Sequence, residues 1–195
     1  MRSLPALETL VALTALQRLW ELRHSRTNLS ALSRASQSAD SSANWSALVL
    51  LQTLWLSGAA LEPALRGRVA RPALLWVGLV LFLLGEALRI WCIRTLGPAW
   101  NARALVDPEL VIVSRGPYRW IRHPNYLGVL LELVGLPLAG GAWITLALLA
   151  PLHLFVLFRR MRGEDELLGR MPGYAQAMGA KGALLPRFFL ARRPR

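Results

Sequence analysis

Five apolar blocks separated by polar segments form the main pattern of this chain. They cover roughly residues 4–22, 45–61, 72–93, 126–136 and 142–158. A helix that crosses the hydrocarbon core needs about 20 mainly apolar residues, and fewer where polar ends reach the interface. The pattern therefore predicts an all-α, polytopic integral membrane protein with about five transmembrane helices.

The last two blocks are predicted to form a C-terminal helical hairpin, with Gly140 and Gly141 as its turn. The fourth block is too short to span alone if it ends near Leu136, so it is tilted, extended at its N-terminal side, or a half-depth arm. We expect the second block to end at Glu62 and Pro63. The Ser-rich stretch 23–44 is expected to be a loop with room for one short helix.

Composition supports a membrane protein and bears on its partners. Hydrophobic residues make up 54% of the 195 residues, mean hydropathy is +0.38 and the formal net charge is +12. The arginines lie in loops and at helix ends, which indicates cytoplasmic retention and anionic lipid head groups rather than a nucleic-acid partner. The single cysteine, Cys92, excludes an internal disulfide and argues against a Cys-based zinc site. We expect no metal and no obligate protein partner.

Orientation follows from where the basic residues lie. The arginine-rich connector 96–125 and the basic tail are placed on the cytoplasmic side, which puts the N-terminus outside if there are five spans. The first block lacks a basic segment before it and a small-residue cleavage site after it, so we expect it to be retained.

The connector ends in the motif RGPYRWIRHPNYLG, residues 115–128. Pro124 biases His123 away from helix and allows a helix to begin at Asn125 or Tyr126. His123 is then expected at the positive end of a helix at the membrane boundary, a position that suits a carboxylate or another anion.

The aromatic residues of the motif allow two interpretations. Tyr118, Trp120 and Tyr126 offer flat faces that can stack on a purine ring or attract a cation such as a sulfonium. The same residues, with their arginines, are also typical of an aromatic belt at a membrane interface. Composition alone leaves both interpretations open.

Several polar residues in or after the hairpin are further candidates. Arg160 and Glu164 are four residues apart and share one helix face, as catalytic groups or as an ordinary ion pair. Glu86, Glu132 and His153 fall inside apolar blocks, where ionisable residues are functional candidates. Glu132 and His153 could pair across the hairpin, and for these residues we favour a structural hydrogen bond over a catalytic role.

The ordered series SRGPYRWIRHPNYLG, a hydrophobic hairpin, R-M-x-x-E-D-x-x-L, P-G-Y and L-P-R-F closely resembles the isoprenylcysteine carboxyl methyltransferase family. The relatives of this family include phospholipid N-methyltransferases. The resemblance covers about residues 95–188. The string RHPNY alone is less specific, because NADPH-dependent sterol-reductase-like membrane proteins carry a similar one. We expect residues 1–95 to form N-terminal transmembrane helices and residues 96–195 to form the catalytic region.

The resemblance implies a cytoplasmic pocket for S-adenosyl-L-methionine, made by the loop before the hairpin, the start of the hairpin and the acidic helix after it. The matching cofactor-binding positions are Arg103, Leu110, Val111, Ile112, Val113, Tyr118, His123, Pro124, Asn125, Tyr126 and Glu164. Arg160 matches the substrate-side arginine of the family, so Arg160 and Glu164 are the expected catalytic residues. Asp165 replaces a second glutamate of relatives. Tyr174 receives no role, because the spacing before it differs from that of the family.

These observations predict a membrane methyltransferase that acts on the oxygen of a lipophilic acceptor, either a carboxylate or the hydroxyl of a long-chain phenol or pyrone. Arginine- and alanine-rich usage suggests a bacterial protein of the inner membrane with its site facing the cytoplasm. Phospholipid amine methylation, an NADPH-dependent sterol-reductase-like activity and a non-catalytic lipid-binding role are the alternatives.

Overall fold

The computed structural model describes residues 3–29, 36–38, 42–67, 69–107, 109 and 111–187. The helices in these ranges are α1 (Ser3–Leu29), α2 (Ser42–Arg66), α3 (Pro72–Leu96), α4 (Pro124–Gly140), α5 (Trp143–Gly169) and the short α6 (Tyr174–Met178). The two-residue strands β1 (Gln37–Ser38) and β2 (Leu105–Val106) pair antiparallel. The structure is therefore mostly helical, as predicted, with one minimal strand pair added.

Three of the described helices are long and apolar enough to cross a membrane, over Asn44–Arg66, Pro72–Ala99 and Trp143–Gly169. Many of their large apolar side chains are exposed, for example Trp76, Leu83 and Phe155, as lipid-facing side chains would be. The chain is thus a membrane protein by the length and composition of its helices. The count of five spans stays a prediction.

Helices α1, α2 and α5 continue well past the ends of the apolar blocks that predicted them. Helix α1 continues to Leu29, into the stretch expected to be a loop. Helix α2 passes through Pro63 and ends at Arg66, because a proline inside a bundle can be accommodated where neighbouring helices surround it. Helix α5 runs without a break to Gly169, so the fifth apolar block and the acidic cluster share one helix.

Helices α3 and α4 pack in direct backbone contact through glycines. A Cβ atom on Gly78 would lie 2.6 Å from the Gly135 carbonyl oxygen, and one on Gly85 would lie 2.7 Å from the Gly128 carbonyl oxygen. Small residues allow membrane helices to approach this closely and gain van der Waals packing along their length. The antiparallel α3–α4 pair is the centre of the bundle.

The turn of the α4–α5 hairpin is anchored to the C-terminal end of α2. Gly141 ends α4 in the left-handed conformation, with φ at 70°. The carboxylate of Glu62 accepts hydrogen bonds from the backbone N–H groups of Ile144 and Thr145, both at 3.0 Å. A negative charge at this position satisfies the free N–H groups at the start of α5. The continuation of α2 beyond the predicted end therefore has a structural role.

Five charged side chains from α1, α3 and α4 meet inside the bundle: Arg18, Glu21, Glu86, Arg89 and Glu132. Arg18 binds both carboxylate oxygens of Glu21, at 2.8 and 2.9 Å, and Glu86 at 3.0 Å. It also pairs with Glu132. Arg89 pairs with Glu21 at 2.5 Å and lies 3.2 Å from Glu132. Buried charges persist only when paired, so this network docks α1 on the α3–α4 pair.

The expected pair between Glu132 and His153 is wrong. Glu132 faces Arg18 and Arg89, which carry full positive charges, whereas His153 lies on α5 and is 3% exposed. The sequence did not indicate the true partners of Glu132, because Arg18 and Arg89 lie on helices that come well before the hairpin in the chain.

Substitution Gly78→Ala is expected to destabilise the protein by about 1–3 kcal/mol, because the added methyl group would press on the backbone of α4. Gly169→Ala is the matched control, since a Cβ there meets nothing within 4 Å. Unfolding titrations in mixed detergent micelles measure both variants. Equal stability of the two variants would contradict the close α3–α4 contact.

Substitution Arg18→Met is expected to cost about 3–5 kcal/mol of unfolding free energy, because it leaves buried carboxylates without their shared partner. Arg162→Met, at an exposed position of α5, serves as the control. The same unfolding titration applies, and a loss below about 1 kcal/mol, typical of a surface pair, would argue against a buried network.

Candidate active site

The motif loop enters α4 through a tight turn. Gly116 has φ at 57° and begins a 3-10 turn over Gly116–Arg119, which buries Tyr118. Trp120 instead remains 47% exposed and packs edge-on against Trp91. Each of the two interpretations of the motif aromatics therefore fits a different residue. Tyr118 turns inward, whereas Trp120 has the position expected of an aromatic belt at the interface.

His123 lies immediately before α4, as predicted from the following proline. It is 3% exposed, and its Nε2 lies 2.8 Å from Oδ1 of Asp165 on α5. The other oxygen of Asp165 lies 3.4 Å from the Arg122 guanidinium. Pro124 is the first residue of α4 and is fully buried. Asp165, the second carboxylate of the pair Glu164–Asp165, thus reaches the motif, although its side chain is shorter than that of a glutamate.

A second link joins the same two helices. The Tyr126 hydroxyl donates a hydrogen bond to Glu164 at 2.6 Å, and its ring lies edge-on to the ring of His123 at 5.4 Å. The Arg160 guanidinium lies 5.9 Å from the Tyr126 ring centroid and donates to the Ala102 carbonyl oxygen at 2.6 Å. The start of α4, the polar end of α5 and the connector are therefore held together at one end of the bundle.

The C-terminal segment clamps the motif from a third side. The N–H groups of Arg122 and His123 donate to the carbonyl oxygens of Gly182 and Ala183, both at 2.9 Å. The ammonium group of Lys181, the single lysine of the chain, donates to the Tyr118 carbonyl oxygen at 2.7 Å. The motif backbone is thus fixed before any ligand binds.

These elements surround a pocket of about 950 Å³, including the part that is open to solvent. The lining includes these predicted site residues: Arg103, Val111, Ile112, Val113, Tyr118, His123, Asn125, Tyr126, Arg160 and Glu164. Pro124 is fully buried and is not among the residues that line the pocket, and Leu110 is outside the described residues. The structure brings the predicted loop, hairpin and acidic-helix positions together around one pocket.

Sequence reasoning missed part of the wall. The missed lining residues include Trp100, Asn101, the stretch 104–107, Arg122, Leu168, Met171, Tyr174 and Met178. Tyr174 was set aside because of its spacing, yet the turn after α5 returns it to the pocket. The signal available for the connector was its mixture of aromatic and polar residues just after an apolar block.

Helix α1 holds the connector that forms one side of the pocket. Asn28 donates to the carbonyl oxygens of Trp100 and Gly97, at 2.6 and 3.2 Å. The Ser25 hydroxyl lies 2.8 Å from Asn101 Oδ1 and accepts from the Ala102 N–H at 3.0 Å. The polar C-terminal half of α1 is therefore helical because its side chains bind the connector.

Two buried phenols keep their protons in this pocket. Burial raises the pKa of Tyr118 well above its ordinary value. Burial, reinforced by the charge of Asp165, raises the pKa of Tyr174 to about 12. Both side chains are therefore neutral at physiological pH and available as hydrogen-bond donors.

The polar groups of the pocket suit a small polar ligand. Asn125 Oδ1 and Trp100 Nε1 are buried and have no hydrogen-bond partner among the described residues. Buried polar atoms are paired in most proteins, so such atoms in a pocket wall are candidates for ligand contacts. The described residues contain no cluster of three or more His, Cys, Asp or Glu side chains that could hold a metal ion.

A double-mutant cycle tests the link between α4 and α5. Tyr126→Phe and Glu164→Gln, singly and together, are expected to show a coupling energy of about 1–2 kcal/mol, because the hydroxyl–carboxylate hydrogen bond is charge-assisted. The free energy of unfolding of all four proteins gives the coupling. Strictly additive effects would show that this hydrogen bond does not form.

Comparison with known proteins gives the relationships of the chain. Residues 76–170 match the model of the Isoprenylcysteine carboxyl methyltransferase (ICMT) family. The Uncharacterized protein YpbQ of Bacillus subtilis is 29% identical over 160 residues, which cover 82% of this chain and 94% of that protein. An Uncharacterized protein of Haemophilus influenzae is 28% identical over 96 residues, 49% of this chain and 56% of that protein.

The matched residues run from α3 to just beyond α5. They contain the motif, the hairpin and the acidic pair, and so both links that close the pocket. The match begins earlier than the resemblance seen in the sequence and ends before the C-terminal clamp. Over residues 76–170, just under half of its length, the chain is similar to the isoprenylcysteine carboxyl methyltransferase (ICMT) family.

Proposed function

We propose that the chain is an S-adenosyl-L-methionine-dependent membrane methyltransferase that acts on the oxygen of a lipophilic acceptor. The family is one of membrane methyltransferases; the cofactor and the acceptor are our proposal. The observation that carries it is the pocket at one end of the membrane helices, where the RHPNY loop meets Arg160 and Glu164 of α5. A polar cofactor and an apolar acceptor can meet only at such a boundary.

The residues present fit the cofactor. The carboxylate of Glu164 and the buried oxygen of Asn125 can accept hydrogen bonds from its ammonium group or its hydroxyls. The rings of Tyr118 and Tyr126 suit a purine or a cationic sulfur. When bound, the cofactor supplies a methyl group attached to a positively charged sulfur.

The protein contributes alignment and charge. Arg160 lies beside Tyr126 and is held by the Ala102 carbonyl oxygen, so its guanidinium group can orient a carboxylate or phenolate acceptor. Pairing of His123 with Asp165 and of Tyr126 with Glu164 fixes the two walls relative to each other. Alignment in a prearranged pocket is the main requirement for a displacement in which opposite charges neutralise each other.

The surface of α5 supports an acceptor that arrives from the lipid. Leu148, Leu152 and Phe155 are exposed along α5, which then leads to Arg160 and Glu164 at the pocket. An acceptor with a long apolar chain can remain in lipid contact while its polar head enters the pocket. We place the cofactor on the cytoplasmic side of a bacterial inner membrane, the side predicted for the basic connector.

Isothermal titration of the detergent-purified protein with S-adenosylhomocysteine tests the cofactor. We expect binding by the wild type and a loss of at least about tenfold for Glu164→Gln, because a charge-assisted contact is removed. Glu166→Gln, an exposed carboxylate on the same helix, should bind as the wild type does. If the wild type does not bind, the proposal fails, and NADPH is the next ligand to titrate.

Transfer of a labelled methyl group to lipid extracts tests the acceptor. Labelled methyl ethers or esters support the oxygen acceptor. Labelled methylamines would instead assign the chain to the phospholipid amine alternative.

A further inference from the structure

Trp100 is a pocket residue with an unsatisfied donor. Its side chain lines the pocket and is 3% exposed. The indole Nε1 is buried and, among the residues that the structure describes, has no hydrogen-bond partner. An indole N–H can only donate a hydrogen bond, so its missing partner must be an acceptor atom. A ligand oxygen is the simplest partner for a donor at this position.

The surroundings hold Trp100 in place without using this donor. Asn28 of α1 donates to its backbone carbonyl oxygen at 2.6 Å. The ring of His24 stacks beside its indole, with centroids 5.9 Å apart and planes inclined by 26°. The backbone and one face of Trp100 are thus fixed by α1, and the N–H direction is set before a ligand binds.

A row of stacked rings connects Trp100 to the exposed apolar surface of α1. His24 also stacks on Trp20, with centroids 5.2 Å apart and planes inclined by 4°. Trp20 is 52% exposed and lies beside Leu16 and Leu19 on the exposed apolar surface of α1. The row Trp20, His24, Trp100 therefore leads from the exposed apolar surface of α1 to the pocket.

The charge nearby favours an oxygen ligand. Arg160 donates to the carbonyl oxygen of Ala102, two residues after Trp100, so the guanidinium and the indole belong to the same part of the wall. Both groups donate hydrogen bonds and neither accepts them. Two such donors suit a carboxylate or phenolate oxygen, and they offer nothing to the N–H groups of an amine.

We propose that Trp100 binds the methyl acceptor, its indole N–H donating to the acceptor's anionic oxygen in concert with the Arg160 guanidinium. This inference rests on the proposed function and deepens it. It makes Trp100 a specificity-determining residue that selects oxygen acceptors over amines, and it makes Asn28 and His24 of α1 the residues that position it.

A long-chain alkyl nitrophenol is the test probe, because its phenolate absorbs visible light and reports its own ionisation. The protein is kept saturated with S-adenosylhomocysteine, and detergent alone provides the baseline. We expect wild-type protein to bind the probe and increase its phenolate fraction. Trp100→Phe keeps an aromatic ring beside His24 but removes the donor. It should bind the probe about tenfold more weakly and raise the apparent pKa of the bound probe by about one unit.

Trp143→Phe is the matched control, since Trp143 lies at the opposite end of α5 and should behave as the wild type does. An unchanged affinity of Trp100→Phe for S-adenosylhomocysteine shows that the variant is folded. The proposal is overturned if the wild type fails to bind the probe, or if Trp100→Phe binds and ionises the probe as the wild type does. It is equally overturned if the variant loses affinity for S-adenosylhomocysteine, since Trp100 would then belong to the cofactor wall. Failure of the wild type to bind S-adenosylhomocysteine is a separate result that refutes the proposed function itself.

Discussion

The position of the connector side of the pocket depends on the charges buried between α1, α3 and α4. Arg18 and Arg89 are each bound to more than one carboxylate, and those carboxylates come from different helices. A shift of α1 by one helical turn would leave these charges unpaired in surroundings of low dielectric constant. Buried ion pairs add little net stability, but they penalise alternative arrangements heavily. The network therefore fixes the register of α1, and with it Ser25 and Asn28, which hold the connector.

The α3–α4 contact makes that network possible. Gly85 and Gly128 let the two backbones touch, so that side chains one turn away, Arg89 and Glu132, come within 3.2 Å. At the pocket end, His123 just before α4 is bound to Asp165 of α5, and Tyr126 in the first turn of α4 is bound to Glu164. Close packing at the core and two specific hydrogen bonds at the end together set the distance between the pocket walls.

Much of this structure could be predicted from sequence, because apolar runs and turn residues are local signals. The hairpin, its turn at Gly141 and the start of α4 beside His123 follow from residues next to one another. The polar half of α1 could not be recognised from its apolar pattern. Its inward positions follow a regular spacing of three and four residues, but they are Thr14, Arg18, Glu21, Ser25 and Asn28, and this stripe was assigned in part to a loop. Local sequence does not mark such a stripe as a buried helix face, because the residues that it contacts lie far away in the chain.

The candidate site shows the same limit. Motif residues could be assigned to the pocket because a resemblance supplied their roles, and most of those described line it. Trp100 carries no motif, and its importance comes from Asn28 and His24, which lie outside the residues that match the family. The two halves of the pocket therefore have different origins in the chain. The proposed cofactor side is built within the matched region, whereas the proposed acceptor side depends on α1. Under this proposal, a change in the helix that supports the connector would alter the choice of acceptor and leave the proposed cofactor side unchanged.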